Sequence, residues 1–274
     1  MLGLLPNTLT MGPSMQDGRS SDPRELVAIA NRVLALSGIA DGVTASLGHA
    51  SMRLPEQPDR FLVKGRGYGV DALAMIRAED LVLCDLDGNR IDGPPGVTQC
   101  FEVKMHSCIY RERPDVQAVV HAHPRYVVAM SVVGDPLRPC CQEGAQLVRR
   151  PLPVYPHMRI VVSEEDGMAV VRTLSNNRAL ILLGHGATTV GRSLPEAITT
   201  MLQLEEQARM NWVVKAAGGS TRALSDDLLV EIENQPNFTE LPHFQGLFPG
   251  GQRPQVTGLW DYYALRAREP VTLT

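Results

Sequence analysis

Residues 113–124 read RPDVQAVVHAHP, and residues 179–186 read ALILLGHG. The first stretch predicts a buried strand from Val116 to His123, bounded by Pro114 and Pro124. Along a strand, side chains two apart share a face, so His121 and His123 point one way. Val116, Ala118, Val120 and Ala122 point the other. Two imidazoles on one face at a strand end can reach a single metal ion, or can be two unlinked polar residues. The second stretch predicts another buried strand, Ala179 to Leu183, running into a tight turn at His185-Gly186-Ala187. A histidine there stands at the edge of a cleft, or is a turn residue satisfied by backbone.

Outward from these strands, the periodicity predicts a helix from about Cys100 to Arg113, stopped by Pro114. Glu102 lies early in it and is the fourth candidate for the histidine cluster. Three imidazoles and a carboxylate suit Zn, Mn, Fe or Co. His106, one turn after Glu102, shares that face and is either a partner supporting the metal ligands or a residue of that helix's surface, the second being preferred. The longest predicted helix runs from Ser193 to about Ala217, with Ser193 and Glu196 as a capping box and Gly218-Gly219 as its stop. A first helix spans about Pro23 to Ser37, with Asp22 as cap and Glu25 completing a second box. Between the first two helices the text is turn-rich, with short strands at Ala50–Arg53, Phe61–Val63 and Leu81–Cys84 and a turn at Asp87-Gly88. Val127–Val133 reads as helix or strand, and Met168–Leu174 as helix. The implied architecture is one mixed α/β domain over residues 22–219, preceded by a loose tail (1–21) and followed by a Pro/Gly-rich extension (220–274).

Composition excludes several classes. The chain has 274 residues, 44% hydrophobic and 20% charged, which is a globular balance and not that of a disordered chain. A net charge of −4 leaves no basic footprint for nucleic acid. No apolar run approaches the roughly 18 residues of a membrane span. Five cysteines, an odd number with Cys140 and Cys141 adjacent, fit no secreted disulfide framework and no CxxC zinc site. Residues 1–21 lack the basic and apolar regions of a signal peptide. A cytoplasmic protein with reduced thiols is expected.

Taken in order, Glu102…His106, RPDVQAVVHAHP and LLGHGATTVGRSLPEA (182–197), followed by a long helix, resemble the class II aldolase/adducin family over roughly Asp22 to Gly219. The resemblance implies a central, mostly antiparallel sheet with helices on both sides. It implies one divalent metal (Zn, Mn or Fe) per subunit, held by His121, His123 and His185. Glu102 either completes the shell or acts as general acid/base. It also implies a homotetramer with active sites at subunit boundaries, where C-terminal tails reach a neighbour.

Departures from the family pattern narrow the chemistry. Members acting on phosphosugars carry a GNxS-type loop and paired serines before the acid. Here those places hold Gly48-His49-Ala50-Ser51 and Cys100-Phe101-Glu102, so donors for a phosphate dianion are lost. The GHxSxR form (Gly48, His49, Ser51, Arg53) instead resembles the branch that decarboxylates hydroxylated aromatic or pyridine carboxylates. A related branch contains iron oxygenases that oxidatively decarboxylate aryl 2-oxo acids. A phosphosugar aldolase or epimerase, and an adducin-like module without catalysis, complete the set of functions compatible with the scaffold. In the decarboxylase reading, Glu102 or His49 supplies the proton that quenches the carbanion. Ser51 belongs to the substrate site, and Arg53, Lys64, Arg66 and Arg125 are candidate partners for a substrate carboxylate, Arg125 foremost, or else solvated surface charges. Phe101 packs against a substrate ring or belongs to the core. Tyr262 and Tyr263 enter a neighbour's site or anchor the tail.

Overall fold

The computed structural model describes residues 22–220, 222–236, 241–244 and 257–272. The expected tail at 1–21 lies outside the described residues. Nine strands form one sheet in the order β4 (Arg90–Asp92), β3 (Leu81–Asp85), β2 (Gln57–Arg66), β1 (His49–Leu54), β6 (Ala118–Ala122), β9 (Gly186–Gly191), β8 (Ala179–Leu182) and β7 (Val154–Tyr155), with β5 (Thr98–Gln99) on β2. Every pairing is antiparallel except β7 with β8. This is the mostly antiparallel sheet the resemblance implies.

Helices cover both faces. Ala118, Val120 and Ala122 of β6 pack with α1 (Pro23–Leu36), α3 (Arg125–Val133) and α5 (Leu194–Ala216). Val119 packs on the opposite side with α2 (Val103–Glu112) and α4 (Glu164–Leu174). Each fully buried Val or Leu in these layers contributes roughly 1.5–3 kcal/mol. The alternation of β6 therefore fixes which way His121 points. Val116 departs from the expected pattern: it lies with Val119, because the strand begins only at Ala118 and Val116 still belongs to a turn closed on Arg113.

Both predicted capping boxes form only in part. Asp22 accepts from the Arg24 amide at 2.9 Å, but Glu25 pairs with the buried Arg32 instead of reaching back. Ser193 accepts from the Glu196 amide, while the Glu196 carboxylate takes the amide of Arg192. The ambiguous segment after Pro124 is the helix α3, whose amides at Tyr126 and Val127 donate to the half-buried Glu205 of α5 at 3.0 Å. Further on, α6 (Asp226–Glu233) and α7 (Thr257–Arg266) lie in the extension. Helix α7 packs on α1 and α5 of its own chain, with Trp260 and Ala267 in the core. Arg32 donates to the carbonyls of Ala267 and Arg268 and pins this return. Among the described residues, no helix is long and apolar enough to cross a membrane.

Candidate functional site

Three separate segments bring Glu102, the pair His121 and His123, and His185 together, with one ligand atom from each of the four residues lying within 4.8 Å of all the others. His121 is on β6, and His123 lies just past the strand's end. His185 occupies the turn between β8 and β9, held by its own amide donating to Leu182 at 3.0 Å. Glu102 is the N-cap residue of α2 but caps nothing (φ −96°, ψ 28°), which leaves its carboxylate free to turn inward. The expected helix start at Cys100 is therefore three residues early.

Ring nitrogens and carboxylate oxygens converge. The Nε2 atoms of His121 and His123 are 3.2 Å apart, and Glu102 Oε2 lies 3.2 Å from His121 Nε2. Glu102 Oε1 is 3.8 Å from His185 Nε2 and accepts from the Val161 amide at 3.2 Å. Tetrahedral ligands at about 2.1 Å from an ion sit on the order of 3.4 Å apart, so these donors fit a divalent cation. A second observation agrees. The cross-strand register puts Thr188 opposite His121, where its hydroxyl lies 3.3 Å from Nδ1. That contact commits Nδ1 and leaves Nε2 for a ligand bond. His185 Nδ1 is buried without a partner.

Glycine is required in the turn. A Cβ on Gly186 would lie 2.3 Å from the Ala122 carbonyl oxygen. Gly186→Ala should push β9 from β6 just where His185 meets His121, costing about 1–3 kcal/mol. Thermal unfolding together with metal content at fixed free metal checks this: both should fall, and an unchanged metal affinity would contradict it.

The electrostatics are those of a buried, mutually dependent cluster. Burial alone pushes the Glu102 carboxyl up, but His121 and His49 more than offset it and hold it well below the usual carboxylate range. Burial takes His49 down to about 4 and His123 to about 3. Each stays neutral in the fold near pH 6 while its unfolded counterpart, with a pKa of about 6.5, binds a proton. The unfolded state thus holds more protons between about pH 6.5 and 4. The metal-free protein should lose stability as pH falls through that window, by on the order of 3 kcal/mol from His49 alone. Denaturant unfolding at a series of pH values checks the sign.

Other expected site residues fall in different places. His106 is not on the helix surface: it is fully buried, because α2 lies against the sheet and turns that face inward. Its Nε2 is 2.7 Å from His49 Nδ1 and its Nδ1 is 2.7 Å from Ser51 Oγ. His49 itself lies directly across the ladder from His121, with Nε2 3.5 Å from Glu102 Oε2. Ser51 is fully buried and its hydroxyl meets His106 and Tyr110.

The cations also move. Arg53 is neither a surface charge nor free for a carboxylate. It is buried and donates to the carbonyls of Pro58, Tyr110 and Val116. Arg53→Met should destabilise the fold by about 3 kcal/mol or more by stranding those carbonyls, with metal affinity retained in the folded fraction. Calorimetry with metal titration reads both, and a stable variant would contradict it. Lys64 is fully buried on Asp71, and Arg66 shares that carboxylate at 2.6 Å. Phe101 is not core: it is 62% exposed, beneath the Arg66 guanidinium at 5.4 Å. Arg125 is exposed at the start of α3. Tyr262 is exposed and accepts from Arg266, and Tyr263 packs partly against the core.

Four participants carried no mark in the sequence: Thr188, Val161, Tyr110 and Glu205. Only strand register could have found Thr188, as the cross-strand neighbour of His121.

Comparison with known proteins follows the same line. The profile described as Class II Aldolase and Adducin N-terminal domain matches residues 25–212. The chain is 33% identical to a 3,4-dihydroxyphthalate decarboxylase of Arthrobacter keyseri, over 81% of this chain and 90% of the relative. It is 34% identical to a protein of the same name from Rhodococcus jostii (strain RHA1), over 89% of this chain and 95% of the relative. An aldolase II superfamily protein from Pseudomonas syringae has a similar structure, with a TM-score of 0.73 and 25% identity over 93% of this chain and 96% of that one. The chain belongs to the class II aldolase and adducin family.

Proposed function

We propose that the protein is a divalent-metal-dependent decarboxylase of a hydroxylated aromatic or heteroaromatic carboxylic acid, with 3,4-dihydroxyphthalate the first substrate to try. The convergence of Glu102 with His121, His123 and His185 carries the proposal. The likeness to the named decarboxylases directs it to aromatic acids. The three histidines would hold one ion per subunit, Zn, Mn or Fe, with Glu102 in or beside the shell. A divalent cation held there would supply Lewis-acid chemistry, stabilising the negative charge that develops as CO2 departs.

The chain's own groups handle the proton. Glu102, ionised at rest, accepts the proton of a substrate hydroxyl and returns it to the ring carbon from which CO2 leaves. His49 is the weaker donor, since burial keeps its ring neutral. A phosphorylated substrate is disfavoured because the His49 and Ser51 side chains are already bonded to His106, and the Cys100 thiol is buried. Phe101, the residue before Glu102, and the Arg66 guanidinium over its ring together offer an aromatic surface and a cation at the edge of the site. Assembly as a homotetramer belongs to the same proposal. Met158, Ile160 and Val162, which flank the Val161 that holds Glu102, are 71%, 53% and 57% exposed. Tyr262 is on the exposed side of α7, available to a neighbouring subunit.

The test is a screen of hydroxylated aromatic acids with zinc-, manganese- and iron-loaded protein, with and without O2. Release of CO2 without O2 uptake supports the proposal. Turnover only with O2 consumption would make the protein an oxygenase on this scaffold.

A further inference from the structure

Behind Glu102 runs an unbroken file of buried polar side chains. Tyr110 Oη, Ser51 Oγ, His106 and His49 are linked by three contacts of 2.7 Å each, and His49 Nε2 faces Glu102 Oε2 at 3.5 Å. All four residues are at most 2% exposed. The far end is anchored, since Arg53 donates to the Tyr110 carbonyl and lies over its ring at 4.9 Å.

Such a file has two possible senses, and its ends decide between them. A carboxylate only accepts, so His49 Nε2 must carry the hydrogen that faces Glu102. His49 Nδ1 is then bare and accepts from His106 Nε2–H. His106 Nδ1 accepts from the Ser51 hydroxyl, and Ser51 accepts from the Tyr110 hydroxyl. In this sense every link pairs one donor with one acceptor. The reverse sense would leave Ser51 a choice of acceptors, Tyr110 Oη or the Val119 carbonyl at 3.3 Å, but would set a bare His49 nitrogen against a carboxylate, with both groups buried.

We propose that His106, backed by Ser51 and Tyr110, is a positioning residue that locks His49 as the Nε2–H tautomer and so holds the Glu102 carboxylate in place for proton transfer. The proposal rests on Glu102 as the acid/base of the site. The file is a clamp and not a proton wire. Passing a proton along it would leave a phenolate on Tyr110, which is buried and whose hydroxyl is pushed up beyond the ordinary tyrosine range.

The experiment is nitrogen NMR of the full, zinc-loaded chain carrying 15N-histidine, with His49 assigned by its loss in His49→Gln. The wild type should show His49 protonated on Nε2 and bare on Nδ1. His106→Leu should show the two His49 tautomers mixed and kcat lowered about 10- to 100-fold, with KM and zinc content unchanged. His106→Gln places an amide N–H where Nε2 stood, so it should restore the single tautomer and most of the rate. A wild-type His49 protonated on Nδ1, or a His106→Leu variant with tautomer and kcat unchanged, would overturn the proposal. Should His106→Leu not fold, Tyr110→Phe removes the first donor and should mix the tautomers and lower kcat about 2- to 10-fold; no change in either overturns the proposal equally. The tautomer is read without substrate. A failed decarboxylation assay with the expected tautomer would count against the proposed function alone.

Discussion

Glu102→Gln is expected to lower kcat by about 10²- to 10⁴-fold, the range for removing a positioned acid/base group. The substitution keeps the shape and an acceptor for the Val161 amide, which donates at 3.2 Å in the wild type. It removes the charge and the ability to take and return a proton. His121, His123 and His185 are untouched, so metal bound at saturating concentration should remain one ion per chain, and KM should change little. Steady-state kinetics with metal analysis on one preparation separates the outcomes. Loss of metal with loss of rate would place Glu102 in the shell as an obligatory ligand. Loss of rate alone would mark it as the group that moves the proton. Retained rate would remove it from the mechanism.

The double replacement His121→Ala, His123→Ala should take bound metal to near zero and activity below about one thousandth of wild type. These two nitrogens lie 3.2 Å apart at one strand end and are two of the four converging ligand atoms. The fold should survive, because Ala118, Val120 and Ala122 hold β6 in its core from the other face. In the wild type, a metal at 100 times its Kd adds about 2.7 kcal/mol to stability. That increment should vanish in the double variant, so chelator should lower the unfolding temperature of the wild type and leave the variant's unchanged. A variant that still binds stoichiometric metal, or a wild type that binds none, would defeat the metal-centre reading.

What the sequence makes legible follows from how local each signal is. His121 and His123 are two apart on a strand, and His185 follows an apolar run before glycine, so short-range periodicity alone places all three at strand ends. Glu102 is legible as part of an ordered motif. Its conformation is not, because the helix begins one residue after it and a free N-cap residue looks helical in one dimension. His106 misleads for a different reason. Its burial depends on α2 closing over β1, and its partners Ser51 and His49 lie 55 and 57 residues away. Arg53 likewise looks like a surface charge until the carbonyls of Pro58, Tyr110 and Val116 are seen around it. Buried polar residues satisfied over long range leave no periodic trace, and here they surround the candidate metal ligands.

The central claim is that a metal-held aromatic acid loses CO2 without oxidation and takes back a proton at the vacated carbon. It is tested most directly by incubating metal-loaded protein with 3,4-dihydroxyphthalate in oxygen-free D2O. The predicted result is one CO2 per substrate consumed and one deuterium on the ring carbon that carried the lost carboxylate. No CO2 until O2 is admitted, or a product oxygenated at that carbon, would contradict it.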